Sequence, residues 1–315
     1  MPRGYFYPDS ITPDQITIIN GYLSKMEAIL RFACNTEGTI TRYKTYTRPF
    51  MAWCFTERGK DPSTATPDDI RDFLDEIQEE RGLDNKTVNG AISHIRKLYE
   101  TAFEASWNSK LVPFKHVDEF IAFVPTKKEV ETLIASVQDP QARALLVLMY
   151  GTGLRISEAC RVRFGEFITH GEFRLDVALS KRHKARHTVL PEKVFRIVNQ
   201  YASYRFRAKQ QVPVSRTSFV FPSPTDPAVP LAANWLQQRI PEYEAALGWP
   251  HRFTCHTFRR AFATHNYLDQ NMTLEEISKA LGHADVKTTK IYLDRSALWL
   301  GTSKHWNNSI DDMNI

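Results

Sequence analysis

Apolar residues recur at spacings of three and four along the first third of the chain, which is the period of one face of an α-helix. The pattern predicts four helices, over residues 14–33, 36–60, 66–82 and 84–105. The third is the clearest, because it opens on Thr66 and Pro67 with acids in its first turn and closes on Gly82. Four helices with short connections predict a small all-α domain over residues 12–106.

The pattern changes after residue 106. Residues 107–125 have no steady period and contain Pro113 and Pro125, so they are predicted to form a linker to a second domain, 126–315. That domain begins with two helices, and then "EFRLDVAL" and "RHTVLP" alternate apolar and polar residues around a basic turn, which predicts an antiparallel β-hairpin. "SFVFP" predicts a further short strand. The remaining helices are expected over 231–247, 255–269, 273–281 and 285–294.

Composition limits the class of protein without identifying it. The 315 residues are 42% hydrophobic and 24% charged with a net charge of +5, which permits nucleic-acid binding but does not demonstrate it. The four cysteines form no CxxC pair, which disfavours a disulfide framework and a cysteine zinc site and favours a reducing compartment. No apolar run is long enough to span a bilayer. We therefore expect no membrane association and a cytoplasmic protein, or a nuclear one if the source has a nucleus.

Residues with chemical potential form four clusters in the second domain. "GTGLRISEA" contains Arg155 and Glu158, and the basic turn of the hairpin contains Lys181. "CHTFRRAFATH" places a histidine and an arginine at i and i+3, on one face of a helix, and "LGHADVKTTKIYLD" sets a histidine nine residues before a tyrosine. Each cluster alone is a weak signal. The residues of the last two are His256, Arg259, His283 and Tyr292.

In this order, the four clusters resemble the catalytic domain of the tyrosine recombinases, the family of the phage integrases, Xer and Cre. The resemblance implies a mainly α fold: a four-helix SAM-like core-binding domain followed by an α+β catalytic domain of the DNA breaking-rejoining fold. It also implies a site-specific recombinase that forms a 3′-phosphotyrosine intermediate without metal, ATP or another cofactor. Its partners would be double-stranded DNA with short inverted-repeat sites and three further copies of the chain, for integration, excision or resolution.

The resemblance also implies a role for each residue. Two guanidiniums present forked donors and stay protonated, which suits them to hold the phosphate oxygens during attack on DNA. The departing 5′-oxygen is a poor leaving group and needs a general acid. The implied roles are phosphate binding by Arg155 and Arg259, base by His256, phosphate hydrogen bonding by His283, acid by Lys181, nucleophile by Tyr292 and support of neighbouring groups by Glu158.

Three of these residues have a visible competitor. The resemblance implies the earlier lysine of the hairpin, the i, i+3 pairing with an arginine favours one histidine, and the resemblance together with the nine-residue spacing after the Gly-His pair favours one tyrosine. The competitors are Lys184 for Lys181, His265 for His256 and Tyr267 for Tyr292.

Further basic residues are candidates for contacts with the DNA backbone, against the alternative of an ordinary charged surface. In the first domain they are Arg42, Lys44, Arg48, Lys86, Arg96 and Lys97; in the hairpin they are Arg182, Lys184 and Arg186. The C-terminal tail, with Trp299 and Trp306, either completes its own core or docks on a neighbouring subunit. Two other functions stay open: relaxation of DNA by a type IB topoisomerase-like activity, and site marking by an inactive DNA-binding relative.

Overall fold

The chain divides into two compact units, Met1–Glu119 and Phe120–Ile315. The structure, a computed structural model, describes residues 8, 10–118, 123–170, 173–177, 186–209, 215–290 and 293. Each unit has its own hydrophobic core. Within these described stretches, no helix combines the length and the apolar character that crossing a membrane requires.

The first unit is a helical bundle. Its described residues form α1 (Pro13–Phe32), α2 (Glu37–Glu57), α3 (Pro67–Arg81) and α4 (Asn85–Thr101). Each helix begins after a Thr or Asp side chain that accepts the backbone N–H three residues further on, which satisfies one of the unpaired donors of the first turn. The four-helix prediction for this part of the chain is confirmed.

The segment that follows α4 is attached to the first unit. The ring of Trp107 lies edge-on to that of Tyr99, with 5.6 Å between centroids. The Asn89 amide accepts the backbone N–H of Lys115 at 2.7 Å and donates to its carbonyl at 2.9 Å. Residues 107–116, which lie in the predicted linker, are therefore held by side chains rather than by secondary structure.

The second unit is mostly helical with one small sheet, as predicted. Helix α6 is its centre, because nearly all of its side chains are buried and it packs against α8 and α10. The described elements, in chain order, are α5 (Lys127–Ser136), α6 (Pro140–Thr152), α7 (Ile156–Ala159), β1 (Phe167–Ile168), β2 (Arg174–Val177), β3 (Arg186–Val189), α8 (Glu192–Lys209), α9 (Ala233–Ala246), α10 (Cys255–Leu268) and α11 (Leu274–Leu281).

The sheet contains the predicted hairpin and one strand more. Strands β2 and β3 pair antiparallel, with Leu175 opposite Thr188, and β1 pairs with the free edge of β2. The segment "SFVFP" differs from the prediction, since its described ladder contacts are two isolated bridges, between Phe219 and Arg163 and between Pro222 and Pro230. Its Val220 is nevertheless fully buried, so the apolar run marks the core rather than a strand of the sheet.

Helix α8 is absent from the sequence prediction. Its apolar residues Val194, Val198 and Tyr201 stand at i, i+4 and i+7 and pack into the core, so the helical period was present in the sequence. In the predicted helix over 285–294, residue 285 is not helical and residues 286–290 and 293 are; 291, 292 and 294 lie outside the described residues.

Helix α10 is tied to the start of the second unit by buried polar contacts. Nε2 of His265 donates to the Pro125 carbonyl (2.9 Å), so Nδ1 of the neutral ring accepts the Tyr150 hydroxyl (2.9 Å). Lys127 and Asp269 form an ion pair in which both side chains are almost fully buried. His265, the competitor of His256 in the sequence, is thus a hydrogen-bonded core residue.

Gly153 ends α6 and is expected to tolerate no side chain. Its φ is +67°, and a Cβ there would lie 2.6 Å from Cε1 of Phe262. Gly248 has nearly the same φ, +69°, but no atom within 4 Å of a Cβ, so it is a matched control. We expect Gly248→Ala to lower the free energy of unfolding by about 1 kcal/mol, and Gly153→Ala by about 1–3 kcal/mol more, because it adds overpacking. Urea denaturation of both variants measures the difference, and equal losses would contradict the clash.

Candidate active site

The first cluster forms at the turn between α6 and α7. Gly153 in the left-handed conformation reverses the chain, and Arg155 then stands at the N-cap of α7. The Glu158 carboxylate accepts the backbone N–H of Arg155 at 2.8 Å and its guanidinium at 3.0 Å. The Arg155 side chain remains one-third exposed. The short α7 therefore fixes the backbone of the arginine and leaves part of its guanidinium open.

Arg186 also binds Glu158, which corrects the alternative interpretation of its side chain as part of a solvated turn. Its two terminal nitrogens donate to the two carboxylate oxygens, each at 2.9 Å, and its Nε donates to the Ala280 carbonyl at 2.9 Å. Its side chain is only 9% exposed. Arg186 lies on the inward face of β3. Its burial is possible because Glu158 and the end of α11 supply partners for all three nitrogens.

Glu158 is the anionic centre of this cluster. Burial by itself raises the pKa of its carboxyl group, but the hydrogen bonds and charge of Arg186 and the contacts of Arg155 outweigh it and lower the pKa to about 2. Glu158 is therefore ionised at neutral pH, and its charge is shared between the two arginines.

Arg259 lies beneath the cluster and is, among the residues that the structure describes, the largest side chain that is almost fully buried. It donates to the Gly153 carbonyl at 2.7 Å and to the Leu281 carbonyl at 2.6 Å. These oxygens end α6 and α11, where helix carbonyls lack intrahelical partners and the helix dipole is negative. The guanidinium thereby joins two helix C-termini, and its nearest approach to Glu158 is 4.0 Å.

His256 stands in the first turn of α10, three residues before Arg259 and on the same face. The pKa of His256 is lowered to about 4, mainly because burial removes hydration from the ring and also because Arg260 and Arg259 are positively charged. The imidazole is therefore neutral at pH 7 and able to accept a proton.

The loop before α10 is held by a residue that sequence reasoning missed. Glu244 of α9 is almost fully buried, and its Oε1 accepts the backbone N–H groups of Arg252 (2.7 Å) and Phe253 (2.8 Å). No local sequence signal marks this glutamate, because its partners lie on another segment. It sets the position at which α10, and with it His256, begins.

His283 follows α11 directly. Gly282 adopts the left-handed conformation that ends the helix, and the His283 N–H bonds to the Ser278 carbonyl. The His283 ring contacts the buried Thr289 hydroxyl through Nδ1 at 2.7 Å and Arg259 through Nε2 at 3.5 Å. Loss of hydration and the charge of Arg259 lower its pKa to about 4, so this ring is also neutral at pH 7.

The structure thus brings together five of the seven residues selected from the sequence, and it adds one. The five are Arg155, Glu158, His256, Arg259 and His283, and the addition is Arg186. Tyr292, Lys181, Arg182 and Lys184 lie outside the described residues. Among the residues that are described, no group of three or more His, Cys, Asp or Glu side chains could hold a metal ion.

The basic candidates of the first unit lie on its surface in different surroundings. Lys44 pairs with Glu27, and Arg96 with Glu100. Arg42 and Lys86 are exposed, while Lys97 and Arg48 are half-buried. DNA contact by these six residues stays a prediction.

Both units of the chain match known protein families. Residues 22–109 match the N-terminal SAM-like domain of phage integrases. Residues 124–297, more than half of the chain, match the phage integrase family. The chain belongs to the phage integrase family. The matched range 124–297 includes every described residue of the cluster. Family membership confirms the resemblance to tyrosine recombinases that the motifs indicated.

Individual members are similar over most of their length. The tyrosine recombinase XerD of Rickettsia bellii is 24% identical over 85% of this chain and 91% of its own. The XerD of Neisseria meningitidis is 30% identical over 67% of this chain and 72% of its own.

Solved structures of family members share the fold. A post-cleavage complex of XerH with a palindromic difH substrate has a TM-score of 0.68 at 16% identity, covering 94% of this chain and 89% of that one. A lambda integrase dimer bound to a COC′ core site has a TM-score of 0.66 at 15% identity, covering 92% and 98%. The mainly α fold class with a small antiparallel sheet is thereby confirmed.

Proposed function

We propose that this protein is a site-specific DNA recombinase that breaks and rejoins strands through a 3′-phosphotyrosine intermediate. The observation that carries the proposal is the convergence of two guanidiniums and two neutral imidazoles, from α7, α10 and the turn after α11. Family membership supports the reaction class, since the similar proteins are recombinases by name.

The cluster suits a phosphodiester in the transition state of attack. Negative charge grows on the non-bridging oxygens, and preorganised donors in a site shielded from water stabilise that charge. Arg155 supplies an accessible guanidinium, and Arg259 supplies one whose orientation is fixed by two carbonyls. Neutral His256 can accept the proton of the attacking hydroxyl. His283 can donate from Nε2 to a phosphate oxygen when its Nδ1 accepts the Thr289 hydroxyl.

Tyr292 is the proposed nucleophile. It precedes Leu293, which is buried against α10 and α11 near Phe262 and Leu281. An ester between this tyrosine and the DNA 3′-phosphate would conserve the energy of the broken bond, so a second 5′-hydroxyl can reseal the strand without ATP. The proposed assembly is a homotetramer on duplex DNA with inverted-repeat sites, in the cytoplasm, acting in integration, excision or resolution.

Covalent trapping tests the function. The purified chain is incubated without added metal with a library of nicked suicide duplexes, which lose the 5′ end needed for resealing, and is separated on a denaturing gel. We expect a protein–DNA adduct whose sequenced DNA gives the target site. DNA binding without an adduct would instead favour an inactive site-marking relative, and relaxation without strand exchange on the recovered site would favour the topoisomerase-like activity.

Lys181 is the proposed general acid for the departing 5′-oxygen, and its replacement has a distinctive expected result. Lys181→Ala should slow cleavage of ordinary DNA by about 10²–10⁴-fold, the usual contribution of a general acid. Cleavage should recover to within about tenfold of the unmodified protein on DNA with a bridging 5′-sulfur, because a thiolate leaves without protonation. Lys184→Ala, measured on both substrates, is the matched control. Failure of the sulfur substrate to restore the rate would assign the acid to another residue.

A further inference from the structure

Each of the three nitrogens of Arg186 has a protein partner, and the side chain is only 9% exposed. Its terminal nitrogens form a fork on both oxygens of Glu158, and its Nε holds the Ala280 carbonyl. A bidentate guanidinium–carboxylate pair fixes both groups in one plane and one orientation. Arg186 therefore acts on the carboxylate and on the end of α11.

The Glu158 carboxylate lies beside the two guanidiniums that are proposed to bind the phosphate. Its oxygens lie 3.0 Å from Arg155 and 4.0 Å from Arg259, the two guanidiniums proposed to bind the phosphate. An anion at this place competes with the phosphate for both of them. With both oxygens occupied by Arg186, the carboxylate retains one contact to the Arg155 side chain and only a longer approach to Arg259.

The second contact of Arg186 bears on His283. The Ala280 carbonyl belongs to the last turn of α11, and Gly282 then leads into His283. A Cβ at Gly282 would lie 2.8 Å from Cδ of Arg186, so the arginine packs directly beneath this turn. One side chain of β3 thus connects the start of α7 to the end of α11.

We propose that Arg186 is a positioning residue for strand cleavage: it binds both oxygens of the Glu158 carboxylate, which limits the competition of that carboxylate for the phosphate-binding guanidiniums, and it fixes the turn that presents His283. This inference deepens the proposed function and rests on it. In this proposal the effect of Arg186 passes through Glu158 and α11.

A double-mutant cycle tests the part of Glu158. Single-turnover cleavage of the site recovered by trapping is measured for Arg186→Met, Glu158→Gln and the double variant, together with DNA affinity. We expect Arg186→Met to slow cleavage by about 100-fold while DNA affinity stays within about threefold, because the freed carboxylate then pairs with Arg155 and Arg259. Adding Glu158→Gln removes that charge, and we expect the double variant to cleave about tenfold faster than Arg186→Met.

A second double-mutant cycle, on an arginine–glutamate pair of α8, tests whether the loss of any such pair slows cleavage. Arg196 and Glu192 form an exposed pair at 2.6 Å, and Arg196→Met, Glu192→Gln and their double variant should all cleave at the unmodified rate. If Arg186→Met does not stay folded at the assay temperature, Arg186→Lys replaces it, since an ammonium keeps the charge but cannot fork on both oxygens. The same rescue by Glu158→Gln is expected there, with smaller magnitude.

The outcomes separate this inference from the proposed function. No covalent adduct from the unmodified protein would overturn the proposed function itself. An active unmodified protein whose Arg186 variant cleaves within threefold of it would overturn the inference alone. A double variant that cleaves no faster than the Arg186 single variant would also overturn it, because the defect would then not pass through the Glu158 charge.

Discussion

Replacing Tyr292 by phenylalanine should abolish the covalent protein–DNA adduct. The change removes only the hydroxyl group, and with it the atom that would be esterified to the 3′-phosphate. Loss of a sole nucleophile lowers the rate by roughly 10⁴-fold or more. The affinity for the recovered site should remain within about tenfold, since one hydroxyl contributes at most one ordinary hydrogen bond. Quantifying the adduct on a denaturing gel, alongside a native binding assay, measures both effects.

Tyr267 supplies the control for this experiment. It lies on α10, the helix that carries His256 and Arg259, but its side chain is 41% exposed and its hydroxyl is not part of the cluster. Tyr267→Phe should form the adduct at the unmodified rate. An adduct that survives Tyr292→Phe and disappears with Tyr267→Phe would assign the nucleophile to α10.

Replacing Arg259 by lysine should cost both cleavage and stability. A compact ammonium cannot reach the Gly153 and Leu281 carbonyls and a phosphate together, as the planar guanidinium can. Removal of one preorganised donor to a developing anion typically slows a reaction by about 10²–10³-fold. A helix-terminal carbonyl left without its donor should lower the free energy of unfolding by about 1–3 kcal/mol. Single-turnover cleavage and urea denaturation measure the two losses separately.

Arg260, the next residue of α10, is the control. It tests whether the losses come from the contacts of Arg259 or from the replacement of any arginine in this part of the helix. Arg260 donates to one backbone carbonyl, that of Phe123, at 2.6 Å, which a lysine can also reach. Arg260→Lys should therefore cleave within about threefold of the unmodified protein, given a single retained hydrogen bond. Equal defects in the two variants would contradict a phosphate-binding role for Arg259.

The helices of the first unit were readable from local pattern. Each has a capping Thr or Asp at its start and apolar residues at helical spacing, and both features act within a few residues of the chain. Helix α8 also has apolar residues at helical spacing, which the sequence prediction did not use. The hairpin was readable because alternation along β2 and β3 follows from burial of one face.

The sequence also determined which residues deserve chemical roles, through the order of its motifs. The i, i+3 spacing of His256 and Arg259 places them on one helix face without further information. It could not place Arg186, which stands in the run "SKRHKAR" beside Arg182 and Lys184 and looks like one more cation of a basic turn.

Only the tertiary structure decided how these residues act on one another. Arg186 meets Glu158 across 28 positions and Ala280 across 94, and Arg259 meets Gly153 across 106. Glu244 likewise finds its backbone partners on a separate loop. Sequence periodicity reports which face of an element is buried, because that depends on the chain's own geometry. The choice of partner for a buried charge depends on which elements the fold brings within about 3 Å, and that distance is not encoded in any local spacing.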